Sequence, residues 1–114
     1  MARSTEQVFE DHKNAILNGD FPKLIADYAD DAVLMTLDGT FVGKESVQRF
    51  FQNLFASQPN PRVSFDEYIV EGDMLLLKWS AESDVAKMPQ GVDTFIIRDD
   101  KIQRQTMWFT AVPK

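Results

Sequence analysis

His12 is the one histidine of this 114-residue chain, and it interrupts an otherwise apolar helical stripe. Val8 and Phe9 lie one turn before it and Ala15 and Ile16 one turn after, so the imidazole is expected to point inward. Inward it is either a core histidine, satisfied by Tyr28 or a backbone carbonyl, or a group that handles protons. Asp93 poses the same choice on a strand. It alternates with Phe95 and Ile97, and an unpaired carboxylate in that apolar wall would be costly. Burial would raise its pKa and a neighbouring cation would lower it. A loop centred near 85–87 sets Asp93 opposite Lys78 or Ser80, which makes a structural Asp–Lys or Asp–Ser pair the alternative to a catalytic carboxyl. If His12 and Asp93 converge on one cavity, general acid/base chemistry follows.

Other chemistries find little support. A lone histidine builds no metal site, and Glu10 and Asp11 lie on other faces of its helix; the chain has no cysteine. No Gly-rich phosphate loop, no Ser/His/Asp order and no dinucleotide fingerprint occurs, so any enzymatic reading is cofactor-free and metal-free. The net charge of -6 comes without a Lys/Arg cluster, which argues against nucleic acid and anionic membrane as partners. The polar stretch Met1 to Gln7 does not resemble a signal segment and no apolar run is long enough to span a bilayer, so the cytoplasm is the expected location.

Several elements must position these residues. Ser4-Thr5-Glu6-Gln7 has the form of a capping box and Asn18-Gly19 a helix stop, which predicts a helix over about 5–18. Asp20 caps a second, short helix with Pro22 in its first turn, ending near Tyr28. A strand over about 32–37 turns at Asp38-Gly39 and returns over about 40–42. Gly43 opens a third helix over about 44–57, striped by Val47, Phe50, Phe51, Leu54 and Phe55 and ended by Gln58-Pro59-Asn60-Pro61. Strands follow over about 62–71, 74–83, 91–98 and 102–112, with tight turns at Gly72-Asp73 and Asp99-Asp100-Lys101. Helices first and antiparallel strands afterwards give one α+β domain over residues 1–114, its helices packed on one face of a curved sheet.

Three motifs, Tyr28-Ala-Asp-Asp-Ala32, Gly43-Lys-Glu-Ser-Val47 and Gly91-Val-Asp-Thr-Phe-Ile-Ile-Arg-Asp-Asp-Lys-Ile102, stand in an order that resembles the SnoaL-like branch of the nuclear-transport-factor-two-like superfamily. That superfamily includes ketosteroid isomerases and polyketide cyclases. The resemblance covers nearly the whole chain and implies a cystatin-like α+β barrel, a cone of strongly bent antiparallel sheet wrapped around three helices and open at one end to a pocket. It places His12 where the isomerases carry an oxyanion-binding tyrosine, Asp93 at their oxyanion-hole aspartate and at the acid/base aspartate of the cyclases, and Tyr28 at a supporting tyrosine. The isomerase base falls on Thr36, so steroid isomerisation is not expected.

The same resemblance implies a ligand-binding wall of Ile16, Leu34, Thr36, Phe50, Phe51, Phe55, Lys78, Phe95, Gln105, Met107 and Phe109. It leaves Thr106, Trp108 and Trp79 on the outer face of the sheet, where a homodimer would cover them. In the implied mechanism Asp93 exchanges a proton at an acidic carbon of a small apolar carbonyl compound while His12, held by Tyr28, stabilises the oxygen. The reversed assignment makes Asp93 a neutral donor. The rival reading is a non-catalytic ligand-binding or dimerisation module.

Overall fold

A computed structural model describes residues 2–114. The order is α1 (Thr5–Asn18), α2 (Phe21–Ala26), β1 (Tyr28–Thr36), β2 (Gly39–Val42), α3 (Lys44–Ser57), β3 (Arg62–Glu71), β4 (Met74–Glu82), β5 (Ala86–Arg98), β6 (Lys101–Phe109) and β7 (Val112–Pro113). Local chemistry accounts for the helix boundaries. Ser4 and Gln7 close a reciprocal capping box on α1, and Gly19, at φ 66°, takes the left-handed cap that ends it. Asp20 accepts from the Lys23 amide at the start of α2, with Pro22 in the first turn.

The sheet runs β2-β1-β6-β5-β4-β3, with β7 added to β5, and it does not close on itself. Bulges between Phe65 and Glu67, Trp79 and Ala81, and Ile96 and Ile97 bend it around the helices. The hairpin between β5 and β6 turns through Asp99 and Asp100, both at positive φ, as a two-residue turn of the correct twist requires. The inner face meets the helices in one core. Val8, Phe9 and Ala15 of α1 and Val47 and Phe51 of α3 are buried together with Leu75, Leu77, Phe95, Ile97 and Ile102 of the sheet. Phe9 sits edge-on to Phe65 and Phe95.

Four details depart from the sequence expectation. Tyr28 starts β1 and does not end α2, because its backbone pairs with Ile102 and the Asp27 carbonyl accepts the Ile102 amide at 2.8 Å. That pairing is parallel, so the sheet is mixed. β5 begins at Ala86, and Pro89 is tolerated within it because Pro89 and Gln90 form the bulge opposite Ser80. The last predicted strand is broken after Phe109, and Val112–Pro113 pairs back on Ala86 and Lys87.

Candidate active site

The open end of the cone holds a cavity of about 80 Å³, walled by α1, α3 and the inner faces of β3 to β6. His12 and Ile16 reach it from α1, and Phe51, Leu54 and Phe55 from α3. Trp79 (β4), Asp93 and Phe95 (β5) and Gln105 and Met107 (β6) supply the sheet wall. The walls are almost wholly apolar, and the polar side chains among them are His12, Gln58, Trp79, Asp93 and Gln105.

Asp93 lies at the centre of a network of neutral donors. The Trp79 indole N–H donates to Oδ1 at 2.9 Å and the Gln105 amide donates to Oδ2 at 3.0 Å. The Tyr28 hydroxyl, completely buried behind this layer, donates to Gln105 Oε1 and thereby fixes which end of the amide faces Asp93. Burial pushes the Asp93 carboxyl from its ordinary 3.8 up to about 7, against the opposing pull of the Trp79 and Gln105 donors. Burial alone lowers His12 to about 4, so its imidazole is neutral at pH 7. Its Nδ1 is buried without a hydrogen-bond partner among the described residues, and its ring stands edge-on to Tyr28 and Phe95 at 5.7 Å.

The strand geometry explains how Trp79 reaches the carboxylate. Trp79 pairs with Gly91 across the sheet, and a Cβ on Gly91 would stand 2.1 Å from the indole Cε2. The missing side chain lets the ring lie flat over the β5 backbone with Nε1 aimed two residues on, at Asp93. Phe109 holds its other flank at 5.7 Å.

Of the residues singled out from sequence, His12, Asp93, Ile16, Phe51, Phe55, Phe95, Gln105 and Met107 meet at the cavity. The others stand elsewhere. Tyr28 backs Gln105 and does not hold His12 by a hydrogen bond. Lys78 is exposed on the outer face, opposite Val92, because the β4–β5 register sets Asp93 against Leu77. Leu34 is buried in the core away from the cavity, and Thr36 serves the β1–β2 turn, its hydroxyl accepting the Asp38 amide. Phe50 packs on Phe41 at 4.9 Å, and Phe109 is a wall for Trp79. Trp79, expected outside, is the main omission. Leu75, Leu77 and Trp79 share the inward face, and that alternation with a glycine across the register was the available signal.

Comparison with known proteins agrees with this architecture. The sequence profile of the SnoaL-like domain matches residues 9–105, a span that holds His12, Tyr28, Trp79, Asp93 and Gln105. The chain belongs to the SnoaL-like family. Among solved structures, a protein from Kribbella flavida provisionally named a ketosteroid isomerase superposes on this SnoaL-like chain with a TM-score of 0.82 at 12% identity, over 96% of this chain and 80% of that one. A protein from Sinorhizobium meliloti provisionally named a polyketide cyclase gives 0.81 at 19% identity, over 90% and 94%. TerC, co-crystallised with polyporic acid, gives 0.80 at 16% identity, over 93% and 91%. At such identities the likeness establishes the fold alone. No curated protein matches the chain.

Proposed function

We propose that this SnoaL-like protein is a single domain that takes a compact, mostly apolar carbonyl compound into the cavity and moves a proton on it without a cofactor. The reaction is of the isomerase, cyclase or hydratase kind. The observation that carries this is Asp93, a carboxyl with its pKa near 7, buried at the wall of an apolar cavity. A carboxyl with that pKa is about half ionised at pH 7, so the base form is well populated and its conjugate acid is strong enough to return the proton. His12, neutral and facing the same cavity, supplies a ring N–H for the oxygen that gains charge. Thr36, at the position of the isomerase base, is engaged in a turn, so steroid isomerisation remains outside the proposal.

Exchange of the acidic protons of a cyclic 1,3-diketone for deuterium, followed by NMR in D2O, tests the reaction. Asp93→Asn is expected to slow protein-catalysed exchange by about a hundredfold or more. Equal rates in the two proteins would remove Asp93 from the chemistry. A second reading has its own observation: both Asp93 oxygens already accept a donor, an arrangement that also suits a structural carboxylate in a non-catalytic binding module. A probe that binds without exchange would favour it.

The outer face of the sheet bears Ile69, Met74, Leu76, Val92 and Trp108, each more than a third exposed. We assign this patch to a second copy of the chain, forming a homodimer. Sedimentation should show a dimer that Trp108→Glu converts to monomer.

A further inference from the structure

Among the described residues no cation faces Asp93. The side chains that line its cavity include no lysine or arginine, and Asp93 enters no ion pair among the described residues. The titratable groups that face it from neighbouring elements are His12 on α1, which is neutral at pH 7, and Tyr28 on β1. β4 and β6 bring only the neutral donors of Trp79 and Gln105, while Lys78 lies on the opposite face of the sheet. Buried carboxylates are ordinarily paired, because removing the charge from water is expensive. Here two donors favour the anion and no cation among the described residues pairs with it.

The remaining surface of the carboxylate is suited to a cationic ligand. A carboxylate offers about four lone-pair positions and two are occupied. The cavity around it is lined by Phe51, Phe55, Phe65 and Phe95, aromatic rings of the kind that attract cations. The chain's net charge of -6 adds a long-range field of the same preference.

We propose that the cavity takes a compact cyclic amine, bound as its ammonium ion with an N–H donated to Asp93 and its ring against the aromatic wall. This rests on the reading of the cavity as a ligand site, and it makes such an amine a competitor of the carbonyl substrate. A carboxyl that titrates near 7 in the empty protein must release its proton when the ammonium arrives, which gives the binding a second signature.

Calorimetry at pH 8 on the full chain, with cyclohexylammonium, cyclohexanol and cyclohexanecarboxylate as probes of one ring and three charges, tests the proposal. The ammonium is expected to bind about tenfold or more tighter than the alcohol, and the carboxylate not at all. Asp93→Asn should bring the ratio of ammonium to alcohol affinity to about one, whatever its effect on the two affinities separately. On the unaltered protein at pH 6.5, ammonium binding should release protons to the buffer, read from the dependence of the apparent enthalpy on buffer ionisation enthalpy. Alcohol binding as tight as that of the ammonium overturns the proposal and leaves the ligand site standing. If all three probes and cyclohexanone fail to bind, the ligand-site reading falls with it.

Discussion

Between pH 4 and 6.5 Asp93 and His12 should contribute little net slope to the folding stability of this protein, because they titrate against each other. Asp93 binds its proton more tightly when folded, its carboxyl moving from 3.8 to about 7. Its contribution is complete below pH 3.8 and is lost as pH rises to about 7, a fall on the order of 4 kcal/mol at about 1.4 kcal/mol per pH unit. His12 runs the other way. Its imidazole moves from 6.5 down to about 4, so folding excludes a proton that the unfolded chain binds. That contribution is complete above pH 6.5 and is lost as pH falls to about 4, on the order of 3 kcal/mol. Urea unfolding at pH 4, 5, 6 and 7, at constant ionic strength, separates the two. In Asp93→Asn the stability should climb by about 3 kcal/mol from pH 4 to 6.5, and in His12→Gln it should drop by about 4 kcal/mol from pH 4 to 7. The slope carries the information, so a uniform loss of stability in either variant does not disturb it. Variant profiles parallel to that of the parent protein would refute the burial argument for that residue.

Gly91→Ala should drive the indole off the strand, breaking the Trp79–Asp93 hydrogen bond at a cost of about 2–4 kcal/mol; denaturation and Trp79 fluorescence report it, and Asp93 should titrate above about 7 by carboxyl-carbon NMR. Tyr28→Phe leaves the buried Gln105 Oε1 without its donor, with an expected loss of about 1–3 kcal/mol in urea unfolding and an altered Asp93 titration. Arg3 bridges Asp11, Asp27 and Asp100 and so ties the segment before α1 to the end of α2 and the β5–β6 turn. Arg3→Ala should cost about 1–3 kcal/mol at pH 7, mainly through the nearly buried Asp27, and less at low pH, where Asp27 is protonated; thermal melts at two pH values check it.

What the sequence by itself determined is what local physics controls. The capping box and Gly19 bounded α1, the apolar stripe oriented His12, and the aromatic stripe carried Phe51 and Phe55 to the cavity. The alternation around Asp93 announced its inward face, and the two tight turns bounded the later hairpins. What only the tertiary structure decided is register and distant pairing. The bulge at Pro89 and Gln90 shifts β5 against β4 so that Asp93 stands opposite Leu77, which sends Lys78 outward and brings Trp79 in over Gly91. A slip of one residue exchanges the two faces of a strand, so the alternation on β4 becomes decisive only once its pairing with β5 sets Trp79 against Gly91 and Lys78 against Val92. Tyr28 likewise enters β1 only because Ile102, far along the chain, offers it a parallel partner. The inward carboxyl of Asp93 was therefore visible in the chain, while the groups that set its proton affinity were assembled by contacts between strands that no short window of sequence encodes.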